Sequence, residues 1–226
     1  MKRITVASYN IRHGADASFD MSKLASCILR SGADVVGFQE VDVGTTRVGG
    51  KDLVEELKQA TGYKYGYFVK SFDYKGGGYG NAILSRFPVL SFDRELLYFT
   101  DRCEQRSVGI CKIDADGHVF NFAVTHLDLV SDDVRRTQLR EINALLEGKG
   151  PYFLTGDFNT QNFSLFDEFP EGNIILDDQN KLVTFPGASI TIDNIVYHNS
   201  ITLLEKGTET ESYSDHYMLW GTFEIA

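Results

Sequence analysis

Apolar, strand-like runs in this chain repeatedly end on groups that a buried strand end cannot carry alone. Ile4-Thr5-Val6-Ala7 leads into Ser8-Tyr9-Asn10, Val35-Val36-Gly37-Phe38 into Gln39-Glu40, and Phe122-Ala123-Val124 into Thr125-His126-Leu127-Asp128. Tyr152-Phe153-Leu154 leads into Gly156-Asp157-Phe158-Asn159, and Ser214-Asp215-His216 adjoins the apolar segment 217–225. Carboxylates, amides and imidazoles are costly at the ends of buried strands unless those ends converge. The pattern calls for a fold that brings separate segments to one rim. Oxygen-rich donors gathered there suit a hard cation such as Mg²⁺, and histidines beside them are left free for phosphate.

With 226 residues, 42% of them hydrophobic, the chain can bury one large core, and a single domain over residues 1–226 is expected. No run approaches the ~18 apolar residues needed to span a bilayer, so no membrane span is expected. Met1-Lys2-Arg3-Ile4 passes straight into a strand pattern without a signal-peptide core, which makes a cytoplasmic protein the expectation, and a monomer. Cys27, Cys103 and Cys111 are odd in number and lack a C-x-x-C pair, so they read as small hydrophobes rather than disulfides or zinc ligands. The net charge of −10 disfavours long duplex nucleic acid, whose binding rests on Lys and Arg neutralising phosphates.

The spacing of Met21, Leu24, Ala25, Ile28 and Leu29 predicts a helix capped by Asp20 or Ser22 between strands 4–10 and 34–41, a βαβ opening. A second helix is predicted over 52–60, closed by Gly62. Strands follow at 63–73, 79–87, 91–99, 105–114 and 118–126, the last two joined by Asp116-Gly117. Ser131-Asp132-Asp133 opens a third helix running to Gly148, then a strand at 152–158. A looser stretch covers 160–187, with strands at 189–197, 201–206 and 217–225. Many strands and few helices point to paired sheets. Lys75-Gly76-Gly77-Gly78-Tyr79-Gly80-Asn81 lacks the ending of a P-loop and reads as a flexible turn.

Asn10, Glu40, His126 with Asp128, Asp157 with Asn159, Asp193, and Asp215 with His216, in this order, resemble the endonuclease/exonuclease/phosphatase (deoxyribonuclease I-like) superfamily over almost the whole chain. The resemblance implies an α/β (α+β) fold, a four-layer sandwich of two facing, mostly antiparallel sheets flanked by helices. It also implies a metal-dependent phosphoric ester hydrolase using Mg²⁺, with Mn²⁺ as the alternative ion.

On that reading Glu40 is the metal ligand, with Asn10 ligating or orienting it and Asp215 facing the metal or its waters. Asp157 aligns and deprotonates the attacking water, and Asn159, on the same side of an extended chain, donates to phosphate. His216 donates to a non-bridging oxygen while Asp193 accepts from its other nitrogen. His126 contacts phosphate or assists the leaving group, with Asp128 orienting it. Arg106 resembles an arginine that phosphatase-type members carry before a central strand, a surface pair with Glu104 being the alternative. Arg12 and His13 stand where several nuclease members have an acidic residue, which favours an extra phosphate contact.

The expected function is a Mg²⁺-dependent phosphatase or small-substrate phosphodiesterase acting on a phosphorylated small molecule, lipid or nucleotide. A nuclease on short or single-stranded nucleic acid is the alternative, with Tyr65, Tyr67, Phe68, Phe72, Tyr74 and Tyr79 as candidates for base stacking or for core. A non-catalytic phosphate-binding module is the reading from a different class, disfavoured because metal, water and phosphate candidates are all present. His118 and His198 have no partner motif.

Overall fold

Where the chain is apolar on both sides it forms the middle of a sheet. The computed structural model describes all 226 residues. β1 (Lys2–Asn10) and β2 (Val35–Val43) lie parallel, with α1 (Met21–Ser31) as the crossover. After α2 (Leu53–Thr61) come β3 (Tyr65–Tyr74), β4 (Gly77–Ser85), β5 (Val89–Leu96), β6 (Ser107–Ala115) and β7 (His118–His126). α3 (Asp132–Leu146) then carries the chain to β8 (Tyr152–Asp157), parallel to β7, and β9 (Gly172–Ile174), β10 (Asp193–His198), β11 (Thr202–Glu209) and β12 (Met218–Ile225) follow. The strands form two six-stranded sheets, ordered β11-β12-β1-β2-β4-β3 and β5-β6-β7-β8-β10-β9. All other strand pairs are antiparallel. No helix is long and apolar enough to cross a membrane.

Strand parity sorts the core into three layers. Ile4, Val6, Phe122, Val124, Phe153 and Ile195 point between the sheets into a shared cluster. Ala7, Tyr9, Val36 and Phe38 point the other way, onto Leu24 and Ile28 of α1 and Leu53 and Leu57 of α2. Ala123, Leu154 and Val196 pack beneath Leu139 and Ile142 of α3. The resulting order is helices, sheet, sheet, helix.

Helix ends follow the capping chemistry. The side chains of Asp20, Asp52 and Ser131 accept from backbone N–H groups of the first turns, and Gly32 and Gly62 close α1 and α2 in the left-handed conformation.

The sheets approach each other closely at Gly37. A Cβ there would lie 2.1 Å from Thr155 Oγ1 and 2.8 Å from Val124 Cγ2, both on the facing sheet. Gly37→Ala is therefore expected to destabilise the fold by roughly 2 kcal/mol, read as a lower melting temperature, because an inserted methyl forces a well-packed interior apart.

Some boundaries differ from the sequence expectation. The predicted strand over 189–197 begins only at Asp193, because Ser189 adopts φ +56° and its N–H returns to the Pro186 carbonyl in a tight turn. The stretch read as loose holds a 3-10 turn over Phe163–Glu168 and the short β9. Gly77, Gly78 and Gly80 belong to β4, not to a loop, and the turn is confined to Lys75 and Gly76. A Cβ at Gly77 or Gly80 would meet the carbonyl oxygen of Val43 or Val69, so neighbouring backbone, not flexibility, demands these glycines.

Candidate active site

His126 ends β7, Asp157 ends β8 and Asp193 begins β10, and the strand register sets His126 beside Asp157 and Asp157 beside Asp193. Each keeps the parity of an intersheet core residue (Val124, Phe153 and Ile195 respectively), so one face is apolar at depth and polar at the rim. Asn10 does the same on the opposite sheet, in step with Ile4 and Val6. Uninterrupted alternation would turn Glu40 to the helical side. A bulge between Phe38 and Val41, with Glu40 itself at φ +56°, resets the strand so that Val41 rejoins the helix-side core while Glu40 meets Asn10. Asp215 and His216 come from the loop before β12, which is tied down by Ser214 Oγ donating to the Asn10 carbonyl at 2.7 Å.

One carboxylate oxygen is the hub. Asp157 Oδ2 accepts from Asn10 Nδ2 at 3.0 Å and stands 3.6 Å from both His126 Nε2 and His216 Nε2. Its other oxygen accepts the Asn159 N–H at 3.0 Å, an Asp-x-Asn turn that fixes the carboxylate plane. Asn10 Nδ2 also donates to Glu40 Oε1 at 3.1 Å, so this one amide ties both carboxylates together, while its oxygen accepts the Arg12 N–H. His216 Nδ1 lies 2.8 Å from Asp193 Oδ2. Asp157, Asp193, His126 and His216 are all buried.

Burial, and then the neighbouring Asp193, pushes the Asp157 carboxyl up to about 7. Burial alone would lower His216, but the charge and hydrogen bond of Asp193, aided by Asp157 and Asp215, push it up to about 10, so the ring is an imidazolium at neutral pH. His126 goes the other way: burial, with Arg106 and His216 adding, holds it well below its ordinary range and leaves it neutral. Burial raises the Glu40 carboxyl, the Asn10 hydrogen bond opposes this, and Asp215 adds to it.

These residues open onto a cavity of about 590 Å³, which Glu40, His126, Asp157, Asn159, Asp215 and His216 line together. Arg106 also lines it. The guanidinium pairs with Glu104 at 3.3 Å yet is only 3% exposed, and its Nε has no partner. Asn159 donates its side-chain amide to the Leu127 carbonyl at 2.9 Å. Arg12 is turned outward to Asp16 and Asp215, at 3.2 and 3.5 Å, and does not line the cavity. Asp128 does not orient His126. Its carboxylate accepts the Val130 N–H in the turn toward α3, and His126 Nδ1 is left without a partner.

Two contributors carry no signal in the sequence. Thr184 Oγ1 accepts the N–H groups of Ile192 and Asp193 and seats the orienting carboxylate. Arg47, on a 3-10 turn after β2, lines the cavity together with Phe72, Tyr74 and Tyr79. Of the six aromatics singled out, those three reach the cavity, whereas Tyr67 stacks on Phe92 and Phe68 packs on the helix-side core.

Asp193→Asn should leave His216 held by a neutral oxygen instead of a carboxylate, and less basic. Turnover is expected to fall by about 10²-fold with little change in KM, measured by steady-state kinetics on any accepted phosphoester.

A two-sheet sandwich whose rim gathers paired carboxylates, an anchored imidazolium and a buried arginine defines a class of protein built to handle phosphoryl groups. The chain belongs to the Endonuclease/Exonuclease/phosphatase family, whose sequence profile matches residues 7–216. Enzymes of that description break phosphoester bonds. Solved structures agree in fold. A family protein from Bacteroides vulgatus is 18% identical with each chain fully covered and a TM-score of 0.83. A mannosyl-6-phosphatase from Bacteroides thetaiotaomicron VPI-5482 is 22% identical, with 98% of this chain and 100% of that chain covered and a TM-score of 0.72. D. rerio TDP2 complexed with a single-strand DNA product is 15% identical with both chains fully covered and a TM-score of 0.78. Among curated proteins none matches.

Proposed function

We propose that the chain is a divalent-metal-dependent hydrolase of phosphate esters on small molecules, working by in-line attack of water. The observation that carries this reading is the convergence of Asn10, His126 and His216 on Asp157 Oδ2 within a cavity also lined by Glu40 and Asp215. Asp157 is the acceptor for the proton of the attacking water. Its raised carboxyl pKa makes it a competent base near neutrality while still largely ionised in mildly alkaline solution. His216, held cationic by Asp193, and Arg106, with Nε unpaired, donate to non-bridging phosphoryl oxygens as their charge develops. The neutral His126 offers one N–H to the same group. Water's oxygen bonds to phosphorus, the ester P–O bond breaks, and the departing alkoxide takes up a proton.

The donor set fits a hard cation. Desolvation raises the half-buried Glu40 carboxyl and the charge of Asp215 adds to it, a repulsion that Mg²⁺ or Mn²⁺ would relieve, and oxygen donors are what these ions prefer. Bound there, the ion would supply Lewis-acid neutralisation of the phosphoryl oxygens. Asp157, Asp193 and His216 also put donor atoms within 4.8 Å of one another. The His216–Asp193 hydrogen bond occupies two of those donors, so Glu40 and Asp215 are the better seat. Asn10, with its amide spent on both carboxylates, acts as a strut.

The cavity volume suits a small molecule, and four acids line it (Glu40, Glu104, Asp157 and Asp215), a lining that repels a polyanion. This supports a small-substrate phosphodiesterase or a phosphatase, the latter being the activity carried in the name of the Bacteroides thetaiotaomicron neighbour. The aromatic lining favours one other reading, a nuclease on single strands, in keeping with the DNA-bound D. rerio TDP2 structure. A screen of phosphate mono- and diesters and a short oligonucleotide with Mg²⁺ and Mn²⁺, run beside Glu40→Gln, tests both. Turnover of small monoesters is expected. Exclusive cleavage of the oligonucleotide, with binding lost steeply as salt is added, would favour the nuclease.

A further inference from the structure

Arg47 is not needed by the hydrolytic machinery, yet it is held with unusual firmness at the cavity wall. Its Nη2 and Nε form a two-pronged pair with Asp42, at 2.6 and 3.0 Å, and Asp42 is fully buried. The guanidinium lies over Tyr74, 4.7 Å from the ring centroid, and 5.7 Å from that of Tyr79. Phe72 completes a three-ring cluster, 5.1 Å from Tyr79 and 6.3 Å from Tyr74. Nη1 takes no part in the Asp42 pair. Phe185 and Ile190 bring further apolar lining from the segment before β10.

We propose that Arg47, Tyr74, Tyr79 and Phe72 form a leaving-group subsite, and that the preferred substrate is a phosphate ester of an uncharged alcohol bearing a flat ring with a hydrogen-bond acceptor. The inference rests on the hydrolase reading for its chemistry. Charge decides against a second phosphate or carboxylate on the substrate. Asp42 cancels Arg47, and the acids lining the cavity would oppose another anion. What the wall offers is π surface on which a ring can stack and one fixed N–H edge that a carbonyl or ring nitrogen can meet.

The test compares kcat/KM for benzyl phosphate, cyclohexylmethyl phosphate and 4-carboxybenzyl phosphate with Mg²⁺ present. Benzyl is expected to exceed cyclohexylmethyl by about 5-fold, the scale of an aromatic contact, with the carboxylated ester no better than benzyl. Tyr74→Leu keeps apolar bulk without the ring, and should bring the benzyl to cyclohexylmethyl ratio within about 2-fold of one. Arg47→Met combined with Asp42→Asn, which removes the pair without stranding a buried charge, should narrow it as well. Equal rates for the two esters, a preference that survives in Tyr74→Leu, or a gain from the carboxylate would overturn the subsite. If no ester is turned over, the hydrolase reading fails, and calorimetric binding of benzylphosphonate against cyclohexylmethylphosphonate decides the subsite separately, equal affinities counting against it.

Discussion

Asp157→Asn is expected to lower turnover by about 10³-fold or more, within the range a general base contributes, while the protein remains folded and melts no lower than the native chain at pH 8. The two halves have one cause. Asp157 is buried, and its carboxyl is pushed up to about 7 from an ordinary 3.8, so the folded state holds the proton more tightly than the unfolded chain does. Its contribution to stability is complete below about 4 and is lost as pH rises through 7, where the folded protein carries a charge it would rather not bury. An amide has no such charge and keeps one oxygen for the Asn10 amide, giving up only the acceptor of the Asn159 N–H. Melting temperatures at pH 4.5 and pH 8, in chelator, should therefore differ less in the variant than in the native chain. A variant that keeps native turnover would remove Asp157 from the chemistry. One that binds phosphate normally but has lost turnover would exclude a purely structural role.

The legible part of the site is the part written in strand parity. Asn10, His126, Asp157 and Asp193 each sit an even number of residues from an apolar neighbour that faces the other sheet, so the same alternation that builds the core delivers them to one rim. Glu40 breaks that rule, and only its motif context marked it, because the bulge that re-aims it is a backbone event with no side-chain signature. Arg47 and Asp42 carry no signal because an ion pair five residues apart, with Asp42 buried and Arg47 half-buried, looks in sequence like two surface charges. Asp128 misled for the opposite reason. A carboxylate two residues after His126 suggests an orienting partner, but the strand has ended there and the acid turns back to cap its own loop. Of the strands between residues 65 and 126, β3 and β4 belong to one sheet and β5 to β7 to the other. Nothing local to Arg86-Phe87-Pro88 announces that the chain changes sheets.

Glu40→Gln should cost at least about 10²-fold in turnover at millimolar Mg²⁺, and chelation of the native protein should cost as much and be reversed by adding the ion back. The backbone supports this assignment. Glu40 holds φ +56°, a conformation that costs a residue with a side chain on the order of 1 kcal/mol, and such strain persists where position matters more than comfort. Gln keeps the oxygen that accepts from Asn10 Nδ2, so the strut survives and the loss can be assigned to the missing charge. A binding readout separates this from a defect in chemistry. Mg²⁺ at a hundred times its dissociation constant would stabilise the native fold by about 2.7 kcal/mol, raising its melting temperature, and should do little for Glu40→Gln. If exhaustively chelated protein hydrolyses esters at its full rate, the carboxylates of Glu40 and Asp215 serve some other purpose, and stabilisation of the developing charge falls to His216 and Arg106 alone.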